Sequence, residues 1–145
     1  MSSKPTAISL FSGMGGDSLG IQEAGFDIIA FNEFDKAAVH SHLENFPDSI
    51  LIQDHTQKKP KDKINIQVIP DDIFSEYKDI IDLVFAGHPC QGFSNGGKKL
   101  PDDPRNTLFR EFARVCKLVK PKYIIGENVD GLLSRKTATG ENYID

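Results

Sequence analysis

The sequence predicts an α/β fold, a parallel sheet with helices on both faces. Three observations carry that prediction. Five short apolar runs alternate with helix-like stretches along the 145 residues, and strands that alternate with helices imply βαβ units. The runs are nearly continuous rather than alternating, as expected for strands covered on both faces. Gly, Asp and Pro punctuate the junctions as helix start and stop signals.

The elements follow in order. Ala7 to Phe11 reads as the first strand, and Gly13, Gly15 and Gly16 follow it. Asp17 can then cap a helix bearing Leu19, Ile21 and Ala24, with Gly25 as its stop. Phe26 to Phe31 is the second strand, ending at Glu33. Asp35 can cap a helix through Ala37, Ala38 and Leu43, stopped at Pro47. Ile50 to Ile52 is a third strand, ending at Asp54. Gln57 to Lys63 holds four lysines and a proline and reads as a solvated loop, and a weak helix covers Asp72 to Lys78. Asp82 to Ala86 is the fourth strand, running into Gly87-His88-Pro89-Cys90. Gln91 to Arg105, with three glycines and two prolines, reads as a long loop. Leu108, Phe109, Phe112, Val115, Cys116 and Val119 then form one face of an amphipathic helix. Pro121 ends it, and Tyr123 to Ile125 is the fifth strand, ending at Glu127.

Composition bounds the class. Hydrophobic residues are 39% and charged residues 26%, with a net charge of −4, which excludes a disordered or collagen-like chain. The mild acidity gives none of the usual basic sign of a nucleic-acid-binding domain. No apolar run approaches the roughly 18 residues of a membrane span. Met1 to Lys4 is polar and lacks a signal-peptide core. Two cysteines, Cys90 and Cys116, make no disulfide framework, and without CxxC or HExxH no structural zinc or other metal site is expected. These features point to one cytoplasmic domain, neither secreted nor bound to a membrane.

In open parallel sheets, ligands bind outside the carboxyl ends of the strands. The polar features collect at such ends: the glycine cluster, Glu33, Asp54, Pro89-Cys90 and Glu127. The cluster follows a strand and opens a helix, where backbone N–H groups meet a nucleotide-like ligand. Glu33 lies twenty residues after Gly13, an offset at which an acid can hold two ribose hydroxyls. The pattern is neither GxGxxG nor a Walker loop, and a tight turn without ligand is the alternative. A carboxylate such as Asp54 can bond an adenine amino group, though a strand-end aspartate is often only a turn cap. Cys90 sits among Pro, Gln and Gly, which suits a nucleophilic thiol better than a buried hydrophobe. Cys116 lies on the apolar helix face and reads as core. Glu127 is a candidate acid, or else an ordinary rim carboxylate. His40 and His42 diverge on their helix and read as surface, whereas His55 and His88 lie on the rim.

Four segments together resemble the ordered motifs of DNA (cytosine-5)-methyltransferases: Phe11-Ser12-Gly13-Met14-Gly15-Gly16, Gly87-His88-Pro89-Cys90-Gln91-Gly92-Phe93-Ser94, Asp103 to Phe109, and Glu127-Asn128-Val129. The match runs from about Ala7 to Leu133. The resemblance implies a Rossmann-like S-adenosylmethionine-dependent methyltransferase fold and S-adenosylmethionine as methyl donor. Phe11, Ser12, Gly13, Met14, Gly15 and Gly16 would border the donor, and Glu33 would take its ribose hydroxyls. Phe34 would lie against the adenine, with Asp54 and His55 at its edge and Pro89 and Leu108 completing the pocket. Cys90 would be the nucleophile and Glu127 the acid that engages the pyrimidine. DNA would be the partner, its cytosine flipped from the duplex, with Gln91, Ser94, Lys98, Lys99 and Arg105 near it. A setting in restriction–modification is implied, in a bacterial or phage cytoplasm, or in a nucleus if the source is eukaryotic.

Asn106 stands where many family members have glycine. The Gln-x-Arg-x-Arg element, the target-recognition region and the last helix of the family do not occur. Residues 1–145 are therefore expected to form the amino-terminal part of the catalytic domain, with five of the expected strands. Such a chain would bind donor weakly, methylate little by itself and need a complementing carboxyl-terminal part. Three alternatives stand beside this reading. One is an RNA (tRNA) cytosine-5 methyltransferase. Another is an inactive fragment that binds cofactor or a partner, although such a module needs neither Cys90 nor Glu127. The last, a nicotinamide enzyme, would carry the absent GxGxxG.

Overall fold

The structure is a computed structural model that describes residues 3–87 and 108–127. Five parallel strands form one sheet in the order β3-β2-β1-β4-β5. The strands are β1 (Thr6–Leu10), β2 (Asp27–Asn32), β3 (Ile50–Leu51), β4 (Leu83–Ala86) and β5 (Tyr123–Gly126). The helices are α1 (Gly16–Glu23), α2 (Lys36–Asn45), α3 (Pro60–Lys63), α4 (Asp71–Ser75) and α5 (Leu108–Val119).

The chain winds outward from β1 through β2 to β3, then returns to β4 on the other side of β1. That reversal makes the gap between the ends of β1 and β4 the topological switch point, where a ligand crevice opens. The register sets the rim. Leu10 pairs with Asn32 on β2 and with Ala86 on β4, and Ala86 pairs with Gly126 on β5. Residues just beyond these ends therefore share one edge.

Two apolar clusters hold the sheet. On one face Ile8, Leu10, Ala30 and Val84 pack with Ile52, Ile66, Ile69, Phe74, Val115 and Val119. On the other, Ala7, Ile28 and Leu83 pack with Ile21 of α1. Helices thus lie on both faces, as the sequence predicts. Arg114 of α5 ties this helix to the α4 region. It donates to the carbonyls of Ile66 and Ile69 at 2.7 and 3.1 Å, and pairs with Asp71 and Glu111.

Several expectations need correction. The N-cap of α1 is Gly15 at φ +111°, and Asp17 lies in the first turn, because a tight glycine turn enters the helix there. Pro60 starts a short helix within the lysine-rich segment expected to be loop; proline presets the φ of a first helical turn. The weak helix is shorter than expected, Asp71–Ser75. All four residues of β5 are exposed, Tyr123 and Ile124 by 66% and 55%, so this apolar run is not covered on both faces. Cys116 is half-buried against the larger cluster, and burial pushes its thiol up to about 11. Among the described residues no helix is long and apolar enough to cross a membrane.

The largest departure is His42. It is fully buried, stacked on Phe31 with ring centroids 3.8 Å apart and tilted against Phe46 at 4.8 Å. Its Nε2 lies 2.9 Å from Ser18 Oγ of α1. Phe31 and Phe46 thus draw the buried side of α2 to His42, while the expected Leu43 is partly exposed. His40 is at the surface as expected, paired with Glu44 at 3.1 Å.

Burial lowers His42 from the ordinary imidazole value of 6.5 to about 4. The fold therefore prefers the neutral ring, while the unfolded chain binds the proton from about pH 6.5 downward. Stability is fully present above pH 6.5 and falls as pH drops toward 4, by about 3 kcal/mol at most. Urea melts between pH 7 and 4 are expected to show this loss in the wild-type chain and not in His42→Gln.

Candidate active site

The site is built from the turns that leave the strand ends. After β1 the backbone enters left-handed conformations at Phe11 (φ +52°), Gly13 (+57°) and Gly15 (+111°). Phe11 is strained there, and such strain concentrates in functional loops. The Gly13 amide donates to Glu33 Oε1 at 2.8 Å, and the Asp35 amide donates to Glu33 Oε2 at 2.8 Å. One carboxylate therefore joins the glycine turn to the end of β2, the two segments read as a ribose site.

The turn is supported from behind. A Cβ on Gly15 would lie 2.6 Å from Phe46 Cε2 and 3.3 Å from His42 Cδ2. Asn45 Nδ2 donates to the Met14 carbonyl at 3.2 Å. In front, a Cβ on Gly13 or Gly16 would meet nothing within 4 Å. The loop thus presents bare backbone to open space beside a carboxylate, the form of a cradle for a nucleoside-like ligand. Met14 and Phe34 are exposed, Phe34 by 51%, while Ser12 is buried. Phe34 follows Glu33 directly and leaves an aromatic face at the rim.

Asp54 is buried and already engaged. Its Oδ1 accepts from the Thr56 amide and hydroxyl at 3.0 and 2.7 Å, and its Oδ2 accepts from Gln57 Nε2 at 3.0 Å. The Thr56 hydroxyl bond, then those from Gln57 and the Thr56 amide, hold its carboxyl below the usual range. This is the turn-cap geometry; a carboxylate with two oxygens can still accept a further donor at Oδ2. His55 beside it is exposed. Leu108 opens α5 and packs against the larger core cluster.

At the other end of the rim, Glu127 leaves β5. Its amide donates to the Ala86 carbonyl at 2.8 Å, and its side chain is exposed. Gly87, at the end of β4, sits between two carboxylates. A Cβ there would meet Asp17 Oδ2 at 2.8 Å and Glu127 Oε2 at 3.3 Å. Burial, and then the charge of Glu127, raise the Asp17 carboxyl above its ordinary value. Pro89 and Cys90, and with them His88, Gln91, Ser94, Lys98, Lys99 and Arg105, lie outside the described residues. Among the described residues no cluster suits a metal ion.

The structure thus joins Glu33 to the glycine turn and sets Glu127 on the same rim. Sequence reasoning missed Asn32, which is buried and donates to the carbonyls of Ile52 and Ile64 at 2.9 and 3.2 Å. Its place directly before Glu33, at a strand end, was the available signal. It also missed Asp17 as a neighbour of Glu127, since a helix-entry aspartate reads as a cap.

Comparison with known proteins agrees with this geometry. A family model described as C-5 cytosine-specific DNA methylase matches residues 6–144. Type II methyltransferase M.XorII of Xanthomonas oryzae pv. oryzae is 40% identical over 129 residues, covering 89% of this chain and 29% of that protein. Type II methyltransferase M.Eco47II of Escherichia coli is 36% identical, covering 89% and 28%. A prophage-encoded E. coli protein, whose structure is described as a DNA modification methyltransferase, superposes with a TM-score of 0.68 at 35% identity, covering 89% and 33%. A mutant Spodoptera frugiperda DNMT2 superposes at 0.56 with 28% identity, covering 90% and 37%. The chain spans about a third of the length of these relatives.

Proposed function

The chain belongs to the C-5 cytosine-specific DNA methylase family, and from that premise we propose that it supplies the donor-binding and nucleophile-bearing part of a methyltransferase acting on C5 of cytosine in DNA. The observation that carries this reading is the rim at the switch point. There the glycine turn is bonded to Glu33 at 2.8 Å, and Glu127 stands across the end of β4 from it.

The residues present fit S-adenosylmethionine. The open space before Gly13 and Gly16 admits a ligand backbone, Glu33 suits the ribose hydroxyls, and Phe34 offers a ring to the adenine. Asp54 and His55 stand at the end of β3, where an adenine edge would lie, and Pro89 and Leu108 would close the pocket. When bound, the donor supplies an electrophilic methyl group. The chain's own residues prepare the acceptor. C5 of cytosine is a poor nucleophile by itself. Attack of the Cys90 thiolate at C6 makes C5 enamine-like, and a proton or strong hydrogen bond from Glu127 at N3 stabilises the charge that develops. Loss of the C5 proton later expels Cys90. The base must leave the stack to be reached. Gln91, Ser94, Lys98, Lys99 and Arg105 are the proposed contacts to the nucleic acid.

The experiment is transfer of a labelled methyl group to cytosine-containing DNA and to RNA. The chain is assayed alone and with the carboxyl-terminal portion of a relative. Label at C5 of DNA cytosine in the complemented reaction, with little from the chain alone, is the expected result. Label in RNA only would select the RNA reading. No transfer in any arm, with donor still bound, would leave the binding-fragment reading. In the same system Glu33→Ala is expected to weaken donor binding by about 1.5–3 kcal/mol, the worth of hydrogen bonds to a charged group, or roughly 10–150-fold by calorimetry.

A further inference from the structure

His42 is unused by that mechanism, yet it stands directly behind the donor cradle. Its ring touches three elements at once. It stacks on Phe31 of β2 with centroids 3.8 Å apart, and Glu33 follows two residues later. Its Cδ2 lies 3.3 Å from where a Cβ on Gly15 would sit. Its Nε2 lies 2.9 Å from Ser18 Oγ, in the first turn of α1. Both residues are fully buried. His42 Nδ1 has no hydrogen-bond partner among the described residues, so Ser18 is the ring's polar anchor there.

The neighbours of His42 extend the same wall. Asn45 and Phe46 follow it by three and four positions, the spacing of one helix face. Asn45 Nδ2 donates to the Met14 carbonyl at 3.2 Å, and Phe46 stands against Gly15. His42 carries this wall on to α1. The buried residues of α1 are Ser18 and Ile21. Ile21 seats the later turn in an apolar cluster with Ala7, Ile28 and Leu83. Ser18 seats the first turn, the one that leaves the glycine loop. An apolar side chain at 42 could fill the space without desolvating a hydroxyl and an imidazole. What the polar pair adds is direction, because a hydrogen bond fixes distance and angle where apolar contact does not.

We infer that His42 is a positioning residue for the methyl donor: its ring, packed on Phe31 and Gly15 and bonded to Ser18, holds the glycine turn and the start of α1 in place against the end of β2. Donor affinity then depends on a ring that the donor never touches. The inference rests on the reading of the glycine turn and Glu33 as the donor site.

The test is amide hydrogen exchange of the 145-residue chain by NMR, beside calorimetry with S-adenosylmethionine. Ser18→Ala removes the hydroxyl, and His42→Phe keeps a stacked ring without Nε2. Chemical shifts elsewhere report whether each variant is folded. Each is expected to speed exchange at the Gly13 and Gly15 amides about three- to tenfold, the worth of one neutral hydrogen bond, with the β4 amides within twofold of wild type. The double variant should do no more than either single one, since both remove the same bond. Donor Kd should rise by about the same three- to tenfold. In the complemented methyl-transfer assay the loss should appear in the KM for the donor rather than in kcat. Exchange at Gly13 and Gly15 that changes only in step with β4 would make His42 an ordinary core residue and overturn the inference. So would additive effects in the double variant, or an unchanged donor Kd in folded variants. The exchange arm needs no ligand, so a loosened turn in a chain that binds no donor even as wild type would count against the donor reading and not against the brace.

Discussion

Glu127→Gln is expected to lower methyl transfer by the complemented chain about 10²–10⁴-fold, the usual contribution of a positioned general acid. The fold should be untouched. The Glu127 amide bonds to the Ala86 carbonyl at 2.8 Å whatever the side chain, and that side chain is exposed. An amide can still donate a weak hydrogen bond to N3, but it cannot deliver a proton as charge develops there. The loss should therefore appear in kcat, with donor affinity within a factor of two of wild type. Single-turnover rates with cytosine DNA, beside calorimetry of the donor, give both numbers. A rate within threefold of wild type would remove Glu127 from the chemistry.

Gly15→Val is expected to cost the fold several kcal/mol. At φ +111° a β-branched side chain is strained by about 1–3 kcal/mol. Its Cβ would also start 2.6 Å from Phe46 Cε2 and 3.3 Å from His42 Cδ2, and overpacking of that kind adds about 1–3 kcal/mol. The sum is a large share of the roughly 5–15 kcal/mol that holds a domain folded. Gly13→Ala is the contrast. Gly13 has φ +57° and open space at its Cβ, so its stability cost should stay near 1 kcal/mol. A methyl group pointing into the cradle should instead weaken donor binding. Urea melts and donor calorimetry on the two variants separate the wall behind the turn from the space before it. Equal stability losses would mean that Phe46 and His42 do not brace the loop.

The parts of this fold that follow local pattern were legible in the residues. The apolar runs marked all five strands, and the face of Leu108, Phe112, Val115 and Val119 marked α5 over the bounds observed. Asp35 is the cap expected, accepting from the Ala38 amide at 2.9 Å. The rim was legible too, because parallel strands place all their carboxyl ends on one edge.

What escaped depends on tertiary neighbours. His42 is polar by composition and buried by circumstance, since Phe31 and Phe46 offer it two ring faces and Ser18 a hydrogen bond. The run Tyr123 to Ile125 looks like a covered strand, yet its side chains are exposed at the edge of the sheet. Asp54 takes the turn-cap meaning of a strand-end carboxylate, its two oxygens accepting from Thr56 and Gln57, and only the fold of that turn decides it. Asp17 reads as a cap, yet its carboxyl and that of Glu127 both border the backbone of Gly87, 2.8 and 3.3 Å from where a Cβ there would sit. The net charge of −4 argued weakly against nucleic acid.

Attack of Cys90 on the cytosine ring is the step on which the proposed reaction turns. It is tested most directly by mass spectrometry of the complemented chain after incubation with S-adenosylmethionine and DNA carrying 5-fluorocytosine, whose C5 fluorine blocks the step that releases the enzyme. A covalent adduct is expected on the peptide containing Cys90, absent from Cys90→Ser. No adduct with either DNA or RNA, or an adduct that survives Cys90→Ser, would contradict it.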